Sequence, residues 1–477
     1  MNYHRIMKNK KNHLALALAG AMFMMTPAAY AADVSLQDAI NRALAENTGL
    51  KVTQKGEDSA KYKLEKAKIQ NGVAPAVTGE LNAEKKDSGA TDASGKLAAT
   101  VSIPIYSGGE NQATIKQAKI GVQSADLQTE RERENLKLNV IKAYYNALEA
   151  KKTVGVRQET VDKYKEHYNN VNQLYSAGAK ARIDVIRSSV ELSNAQQNLI
   201  KAENNYEVDL ATLRNYMNMD RTEPLNLTSD FSYDVFGIDM NDCIDYAYKN
   251  RKDLLVDQYK LEQQEQAIKA AKAGYLPSLK VSLGLDQTEK YKPSSSSSHG
   301  ASAGVGLSWN IFDGGLTRAE VKSAKTDYDI ARLNLLKDKE DIDLSVRQAY
   351  YSMREAEKRF NSTKDAVNQA EQDYYIAREK YRAGEGLMLD IIDAQEALST
   401  ARLNQISAQY DYARYKATVE NAMGIGLNAS ETAAAGDLET DVDATLSQSS
   451  IAERAGDTAE ALRAAEQKQA ERDGETK

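Results

Sequence analysis

Residues 106–217 recur at 312–423 with a constant offset of 206 and no gap, and this internal repeat constrains the fold more than any other feature of the chain. Three motifs keep the same register in both copies: an aromatic residue two positions before Gly-Gly, an Ala-Tyr-Tyr triplet, and a Tyr-x-Ala-Gly segment. The motifs begin at Tyr106 and Phe312, at Ala143 and Ala349, and at Tyr175 and Tyr381. A repeat of this length indicates two copies of one supersecondary unit, so the chain is predicted to be internally duplicated.

The N-terminal segment has the pattern of a secretory signal peptide. Basic residues precede a short apolar run from Leu14 to Met25, and Ala29-Tyr30-Ala31 has the small-x-small form of a cleavage site. A transmembrane anchor is the alternative, but the run is too short to span about 30 Å of hydrocarbon. Residues 1–31 are therefore predicted to be a signal peptide.

The composition argues against several classes of protein. Cys243 is the single cysteine, and His167 and His299 are the only histidines beyond the signal peptide, so neither a disulfide nor a His/Cys metal site is expected. No nucleophile motif, phosphate loop or dinucleotide fingerprint is found, and we expect no cofactor and no enzymatic activity. The net charge is −7, and the tail at 428–477, with twelve acidic and five basic residues, accounts for it. No basic patch suggests a nucleic-acid partner.

Apolar and polar residues alternate in one segment of each copy. The alternation starts after Pro75 and Pro277, which end the preceding helical sequence, and it predicts β-hairpins at about 75–105 and about 277–311. Strands of about ten residues with one apolar face are typical of transmembrane β-barrels, although a soluble hairpin packed on its own domain shows the same pattern. About eight strands are the fewest that close a barrel, and lipid does not tolerate an open edge. If four such strands lie in a membrane, several chains must therefore combine.

A long helical segment follows each Gly-Gly pair. Residues 110–176 and 316–382 contain no proline, and 67 residues of helix would span roughly 100 Å. This length exceeds that of an ordinary globular helix and predicts a coiled coil or a helical tube. A glycine-containing turn ends each segment, and residues with heptad spacing run back from it. We therefore predict long helical hairpins at about 109–217 and about 315–425.

These elements give a predicted domain organisation. Each repeat is expected to hold a helix, a β-hairpin and a long helical hairpin, with strand-to-helix junctions at Gly108, Gly109, Gly314 and Gly315. The divisions are the signal peptide at 1–31, the first repeat at 32–217, a connector at 218–238, the second repeat at 239–425, and an acidic tail at 426–477 that is predicted to be disordered.

Together these motifs resemble the TolC-like outer membrane efflux and secretion channel family. The resemblance covers about residues 35–425 and rests on the duplicated Gly-Gly junctions, the prolines that start the strands, and the Tyr-x-Ala-Gly turns, each with an aspartate six residues after its glycine. It implies a homotrimer in the cell outer membrane. Three chains of four strands would form a 12-stranded transmembrane β-barrel in outer membrane lipid, which would continue into a long periplasmic α-helical coiled-coil tunnel.

The resemblance also implies a passive exit duct. Such a duct docks with a periplasmic adaptor (membrane fusion) protein and with an inner membrane pump of the RND, ABC or a similar type. In the family, the turn glycines, here Gly178 and Gly384, lie at the periplasmic end of the tunnel. The adaptor-facing tips would then be Ala179 and Lys180 in the first turn, and Glu385 and Gly386 in the second.

The same resemblance implies a gate at this end. Asp390 and Asp393 match a family pair that forms acidic rings, and their spacing of three places both on one helix face. Six carboxylates from three chains would favour cations in a pore. From composition alone, the pair is more simply an ordinary solvated helix face.

The resemblance further implies a latch between the two turns. Asp184 and Tyr381 match family positions that bond to each other and to a basic residue. This chain has Gly386 where some members have an arginine; Lys180, Arg182 or Arg382 could supply the basic group by a different geometry.

A different class of protein remains open at this point. Long coiled coils also occur in non-conducting spacer proteins of the cell envelope. The strand pattern and the Gly-Gly junctions argue against a spacer and for a channel.

Overall fold

The computed structural model describes residues 32–85, 91–292 and 294–426. The predicted signal peptide at 1–31 and the predicted tail from residue 427 onward lie outside the described residues. All described helices and strands belong to one compact unit that ends at Gly424.

The described chain contains eight helices and six strands. The elements of the first half are β1 (Ala32–Val34), α1 (Leu36–Glu46), α2 (Thr48–Gln70), β2 (Ala74–Lys85), β3 (Thr91–Tyr106), α3 (Glu110–Ser176) and α4 (Arg182–Tyr216). Those of the second half are β4 (Leu225–Leu227), α5 (Met240–Asn250), α6 (Lys252–Ala273), β5 (Ser278–Lys292), β6 (Ser296–Ser308), α7 (Leu316–Arg382) and α8 (Met388–Met423). The two long helices α3 and α7 have the same length of 67 residues.

The short helices α1 and α5 start at capping side chains. Ser35 Oγ accepts a hydrogen bond from the Asp38 amide at 3.1 Å, and the Asp38 carboxylate accepts one from the Ser35 amide at 3.2 Å. The carboxylate of Asp239 accepts one from the Asn241 amide at 3.2 Å. Each bond satisfies an amide that has no partner within its helix, which explains why the helices begin there.

A four-stranded antiparallel sheet joins the two hairpins in the order β2-β3-β5-β6, so that β2 and β6 are its edges. The register aligns Val77, Ala99, Leu285 and Ala301 in one row across all four strands. Because side chains alternate along a strand, this alignment collects the apolar residues on one face. We call this the apolar sheet face; it comprises Val77, Leu97, Ala99, Val101, Leu283, Leu285, Val305 and Leu307.

The opposite face of the sheet carries small or polar residues. One row across it consists of Ala76, Thr100, Gly284 and Ser302. We call this the polar sheet face. The large side chains of the apolar sheet face, apart from Val101, are solvent-exposed in the single chain, with Val77 at 76%.

Strand β6 ends at Ser308, three residues before the predicted limit of its hairpin. Ser308 pairs with Ser278, and the next residue along β5 would be Pro277, which has no amide hydrogen to extend the ladder. The indole of Trp309 instead donates a hydrogen bond to the Tyr275 carbonyl at 3.1 Å.

The long helices form antiparallel pairs, α3 with α4 and α7 with α8, and α3 also packs on α8. A large apolar core lies where α1, α3, α4 and the small sheet of β1 and β4 meet. Within it, the hydroxyl of Tyr144 donates to the Val34 carbonyl and accepts from the Ser229 amide, both at 3.0 Å. The first tyrosine of the Ala-Tyr-Tyr motif therefore fixes two chain segments to α3.

No helix in the described part of the chain has an apolar stretch long enough to cross a lipid bilayer.

Candidate functional site

The first helix turn, between α3 and α4, is a compact backbone motif. The amide of Gly178 donates to the Tyr175 carbonyl at 2.9 Å, and the amide of Ala179 donates to the Leu174 carbonyl at 2.8 Å. Gly178 has a φ of +78°, in the left-handed region that favours glycine. These two bonds define a Schellman motif, which satisfies the last carbonyls of α3.

The second turn, between α7 and α8, repeats this geometry. The amide of Gly384 donates to the Tyr381 carbonyl at 3.1 Å, and the amide of Glu385 donates to the Lys380 carbonyl at 3.0 Å. Gly384 has a φ of +80°. The Tyr-x-Ala-Gly segment of the repeat therefore specifies the same helix ending in both copies.

Gly386 makes the second turn tighter than the first. Its amide also donates to the Lys380 carbonyl, at 3.1 Å. A Cβ atom added to Gly386 would lie 2.9 Å from the Tyr381 nitrogen and 3.1 Å from the Lys380 Cβ. An arginine would therefore require this turn to move, which gives a physical reason for the departure from the family pattern.

Asp390 and Asp393 both lie exposed on the first turns of α8. Asp390 Oδ2 accepts a hydrogen bond from the Leu387 amide at 3.0 Å, so this carboxylate helps to cap its own helix. Neither aspartate forms an ion pair with another residue of the described chain. Asp390 thus has a structural role that its spacing from Asp393 does not reveal.

Tyr381 is the buried residue at the centre of this region. Its side chain is 7% exposed, the Lys180 Nζ lies 4.4 Å from its ring centroid, and the ring of His167 lies 5.5 Å away. Among the described residues its hydroxyl has no hydrogen-bond partner. Burial, together with the charge of Asp184, raises the pKa of Tyr381 above its ordinary value.

The Asp184–Tyr381 hydrogen bond implied by the family resemblance is not formed within this single chain. The side chain of Asp184 is half-buried and has no hydrogen bond to another described residue. Of the three basic residues considered for the latch, Lys180 contacts Tyr381. Arg382 instead pairs with Glu166 and with Glu379, both at 3.5 Å.

The strand-to-helix junctions depend on pairs of glycines in the left-handed region. The φ angles are +65° at Gly108, +90° at Gly109, +67° at Gly314 and +94° at Gly315. Gly109 and Gly315 directly precede α3 and α7. A Cβ atom on Gly108 would lie 3.0 Å from the Ala273 carbonyl oxygen, so the first junction also packs closely on the end of α6.

Sequence reasoning missed a cavity of about 460 Å³ between α3, α7 and α8. Three of its lining side chains carry a buried polar atom without a hydrogen-bond partner in the described chain: His167 Nε2, Tyr381 Oη and Gln395 Oε1. Burial lowers the pKa of His167 below its ordinary value. No local motif connects these residues, because they come from three helices that are far apart in sequence.

Within the described residues, no three His, Cys, Asp or Glu side chains are arranged to hold a metal ion. The polar groups of this region that could serve a function are therefore the carboxylates near the turns, Tyr381 with its neighbours, and the polar side chains that line the cavity.

The described fold thus joins a sheet that has one apolar face to two helices of 67 residues, each paired with a helix of 35 or 36 residues. The chain belongs to the outer membrane efflux protein family, whose sequence model matches residues 39–219 and 243–425. As a member of this family it is a protein of the outer membrane that extends into the periplasm.

Individual relatives agree with this assignment. The chain is 22% identical to toxin and drug export protein A of Aggregatibacter actinomycetemcomitans, over 82% of this chain and 86% of that protein. It is 24% identical to the outer membrane protein TolC of Escherichia coli, over 65% of each chain. The crystal structure of the Campylobacter jejuni CmeC outer membrane channel has the same fold, with a TM-score of 0.71, 20% identity, and coverage of 82% of this chain and 85% of that one.

Proposed function

We propose that three copies of this chain form the outer membrane exit duct of a tripartite efflux pump or a type I secretion system. The observation that carries this proposal is the four-stranded sheet, which has an apolar and a polar face and two unpaired edges. The apolar sheet face suits lipid, and the polar sheet face suits a water-filled lumen. A spanning sheet must have no open edge, so the edges require partners from other chains.

The strand directions make such pairing possible between identical copies. All neighbours in the sheet are antiparallel, so the first strand, β2, and the last strand, β6, run in opposite directions. When β6 of one copy meets β2 of the next, the new pair is therefore antiparallel as well. Head-to-tail contacts of this kind close into a ring when the rotation between successive copies adds up to a full turn. Three copies of four strands give the 12-stranded barrel that the family resemblance implies.

The long helices would continue the duct into the periplasm. At 1.5 Å per residue, the 67 residues of α3 or α7 extend roughly 100 Å. The turn end would carry the gate and would meet a periplasmic adaptor, with an inner membrane pump supplying the energy. The names of relatives mention the export of toxins and drugs, and we propose export of such compounds here.

The gate would combine the acidic pair Asp390 and Asp393 with the latch residues Asp184 and Tyr381. Exposed carboxylates on one helix face support the acidic ring. The half-buried, unbonded carboxylate of Asp184 and the unpaired hydroxyl of Tyr381 support the latch, since both retain bonding capacity.

Single-channel recording in planar bilayers tests the proposal. The purified mature protein should conduct ions weakly, with cation selectivity and mostly closed. The Asp390→Asn/Asp393→Asn double variant should lose cation selectivity and block by multivalent cations, because it removes the charges and leaves acceptor oxygens. The Asp365→Asn/Asp373→Asn variant, with two exposed aspartates on α7, is the matched control.

The outcomes of these recordings test the gate assignment and the channel assignment separately. Unchanged selectivity in the Asp390→Asn/Asp393→Asn variant would sink the gate assignment. No conductance from verified trimers of either the wild type or this variant would favour the coiled-coil spacer over the channel.

A further inference from the structure

The cavity between α3, α7 and α8 is lined in part by Tyr381, which is also a latch residue of the gate proposed above. Its volume of about 460 Å³ falls within the range of small-molecule sites. The walls include Tyr164, Leu174, Tyr374, Tyr381, Ile391 and Gln395.

Three buried polar atoms that line the cavity lack hydrogen-bond partners in the described chain. Tyr381 is 7% and Gln395 is 3% exposed, yet neither the Tyr381 hydroxyl nor the Gln395 Oε1 atom has a hydrogen bond. The Nε2 atom of His167 is buried without one as well. Buried polar groups are almost always hydrogen-bonded, so three unpaired ones around a single cavity point to an occupant that bonds to them.

The chemistry of the walls defines the occupant. Three tyrosine rings with Leu174 and Ile391 favour a flat, largely apolar molecule. Gln395 Oε1 can only accept hydrogen bonds, so the molecule must bring a donor, while the Tyr381 hydroxyl can donate or accept.

The charges around the cavity favour a neutral molecule. Each basic side chain that lines it already has an acidic partner. These pairs are Lys163 with Glu159 at 2.9 Å, Arg378 with Glu379 at 3.1 Å and Arg382 with Glu166 at 3.5 Å.

We propose that this cavity is a binding site for a small neutral aromatic molecule that carries a hydroxyl or a similar hydrogen-bond donor. Such a molecule would contact Tyr381, whose ring is also contacted by Lys180 of the first turn. Binding itself is independent of the proposed function, whereas an effect of binding on the gate rests on it.

Fluorescence titration of the full-length protein in lipid nanodiscs with 2-naphthol tests the site. This probe is neutral at pH 7, and its hydroxyl can donate to Gln395. Saturable binding is expected, and 2-methoxynaphthalene, which has the same rings without a donor, should bind more weakly.

Two variants and two matched controls assign the binding to the cavity. Gln395→Leu and Tyr381→Phe should each weaken 2-naphthol binding by about 3- to 10-fold, because each removes one hydrogen bond. Gln405→Leu on α8 and Tyr375→Phe on α7 change the same residue types outside the cavity and should have no effect.

Three results would overturn the proposal: non-saturable uptake equal to that of empty nanodiscs, equal binding of both probes, or equal weakening by the control variants. Single-channel recording with saturating 2-naphthol then examines the gate. Saturable binding without any change in open probability would establish the site and overturn its link to the gate.

Discussion

The two helix turns share one backbone motif, but their carboxylates are held differently. Asp184 and Asp390 both occupy the third position of the helix that follows a turn. The Asp390 carboxylate accepts a hydrogen bond from the Leu387 amide, whereas the Asp184 carboxylate has no hydrogen bond to any described residue. The repeated sequence therefore reproduces the fold of the turn without reproducing the function of its side chains. In the second turn the carboxylate of Asp390 is bonded within its own helix, whereas in the first turn the carboxylate of Asp184 is available for a partner.

The residue that follows each turn differs in a related way. Gly386 packs against the backbone of α7, while its counterpart in the first copy, Lys180, extends over the ring of Tyr381. The lysine of one turn thus contacts the tyrosine of the other. A cation over an aromatic ring contributes about 0.5–1 kcal/mol at an accessible site. The first turn accordingly helps to hold the second.

The largest difference between the turns should appear on adding one methyl group to the second. Gly386→Ala places a Cβ atom 2.9 Å from the Tyr381 nitrogen, and overpacking of this kind costs about 1–3 kcal/mol. The apparent unfolding temperature of the purified protein should fall clearly. Lys180→Ala, the counterpart in the first turn, should cost less than about 1 kcal/mol, since it loses only the contact with the Tyr381 ring. Equal effects of the two variants would mean that the turns are equally tight.

A smaller difference is expected for the two aspartates. Asp390→Ala should destabilise each chain by about 1 kcal/mol, because it removes the bond to the Leu387 amide and a charge that favours the helix N-terminus. Asp390→Asn keeps an acceptor oxygen and should retain most of the stability. Asp184→Ala should change the unfolding temperature less than Asp390→Ala does. A larger loss for Asp184→Ala would show that Asp184 is bonded in the assembled protein, as the latch requires.

Features of this protein that depend on neighbours in sequence could be predicted. The alternation after Pro277, the glycines at 178 and 384, and the Gly-Gly junctions each specify local backbone geometry. Their combination also predicted the family and the outer membrane location, which the family match confirms. Oligomeric state and gate residues remain predictions, because they concern contacts between chains.

Features that depend on contacts distant in sequence could not be predicted. The pairing of β3 with β5 joins residues about 180 positions apart, such as Ala99 with Leu285. The cavity likewise brings His167 and Gln395 together from different helices. The steric need for Gly386 depends on the exact path of the turn, and the family resemblance indicated only that some members have an arginine at this position.

The unpaired hydroxyl of Tyr381 lies at the contact between the two turns. Tyr381→Phe keeps the ring under Lys180 and removes a buried hydroxyl that lacks a partner in the described chain. If no neighbouring chain bonds to it, the variant should be as stable as the wild type or more stable, by up to about 1 kcal/mol. Tyr375→Phe, with a 59% exposed side chain on the same helix, should be neutral. A clear loss of stability in Tyr381→Phe would instead indicate that the trimer supplies a partner.

The smallest expected effect concerns pH and the histidine that contacts Tyr381 from α3. Burial lowers the pKa of His167, and Lys180 lowers it further, while Glu166 opposes the shift. As the pH falls below about 6.5, the imidazole of His167 is protonated in the unfolded chain before it is protonated in the folded chain. The contribution of His167 to stability is therefore present above that pH and is lost as the pH falls. The apparent unfolding temperature should therefore drop between about pH 7 and pH 5 in the wild type and drop less in His167→Gln. His299→Gln, which changes an exposed histidine of β6, should keep the wild-type pH dependence. An identical drop in His167→Gln would mean that other groups cause the loss of stability at low pH. Protonation of His167, which packs on Tyr381, would then not contribute to that loss.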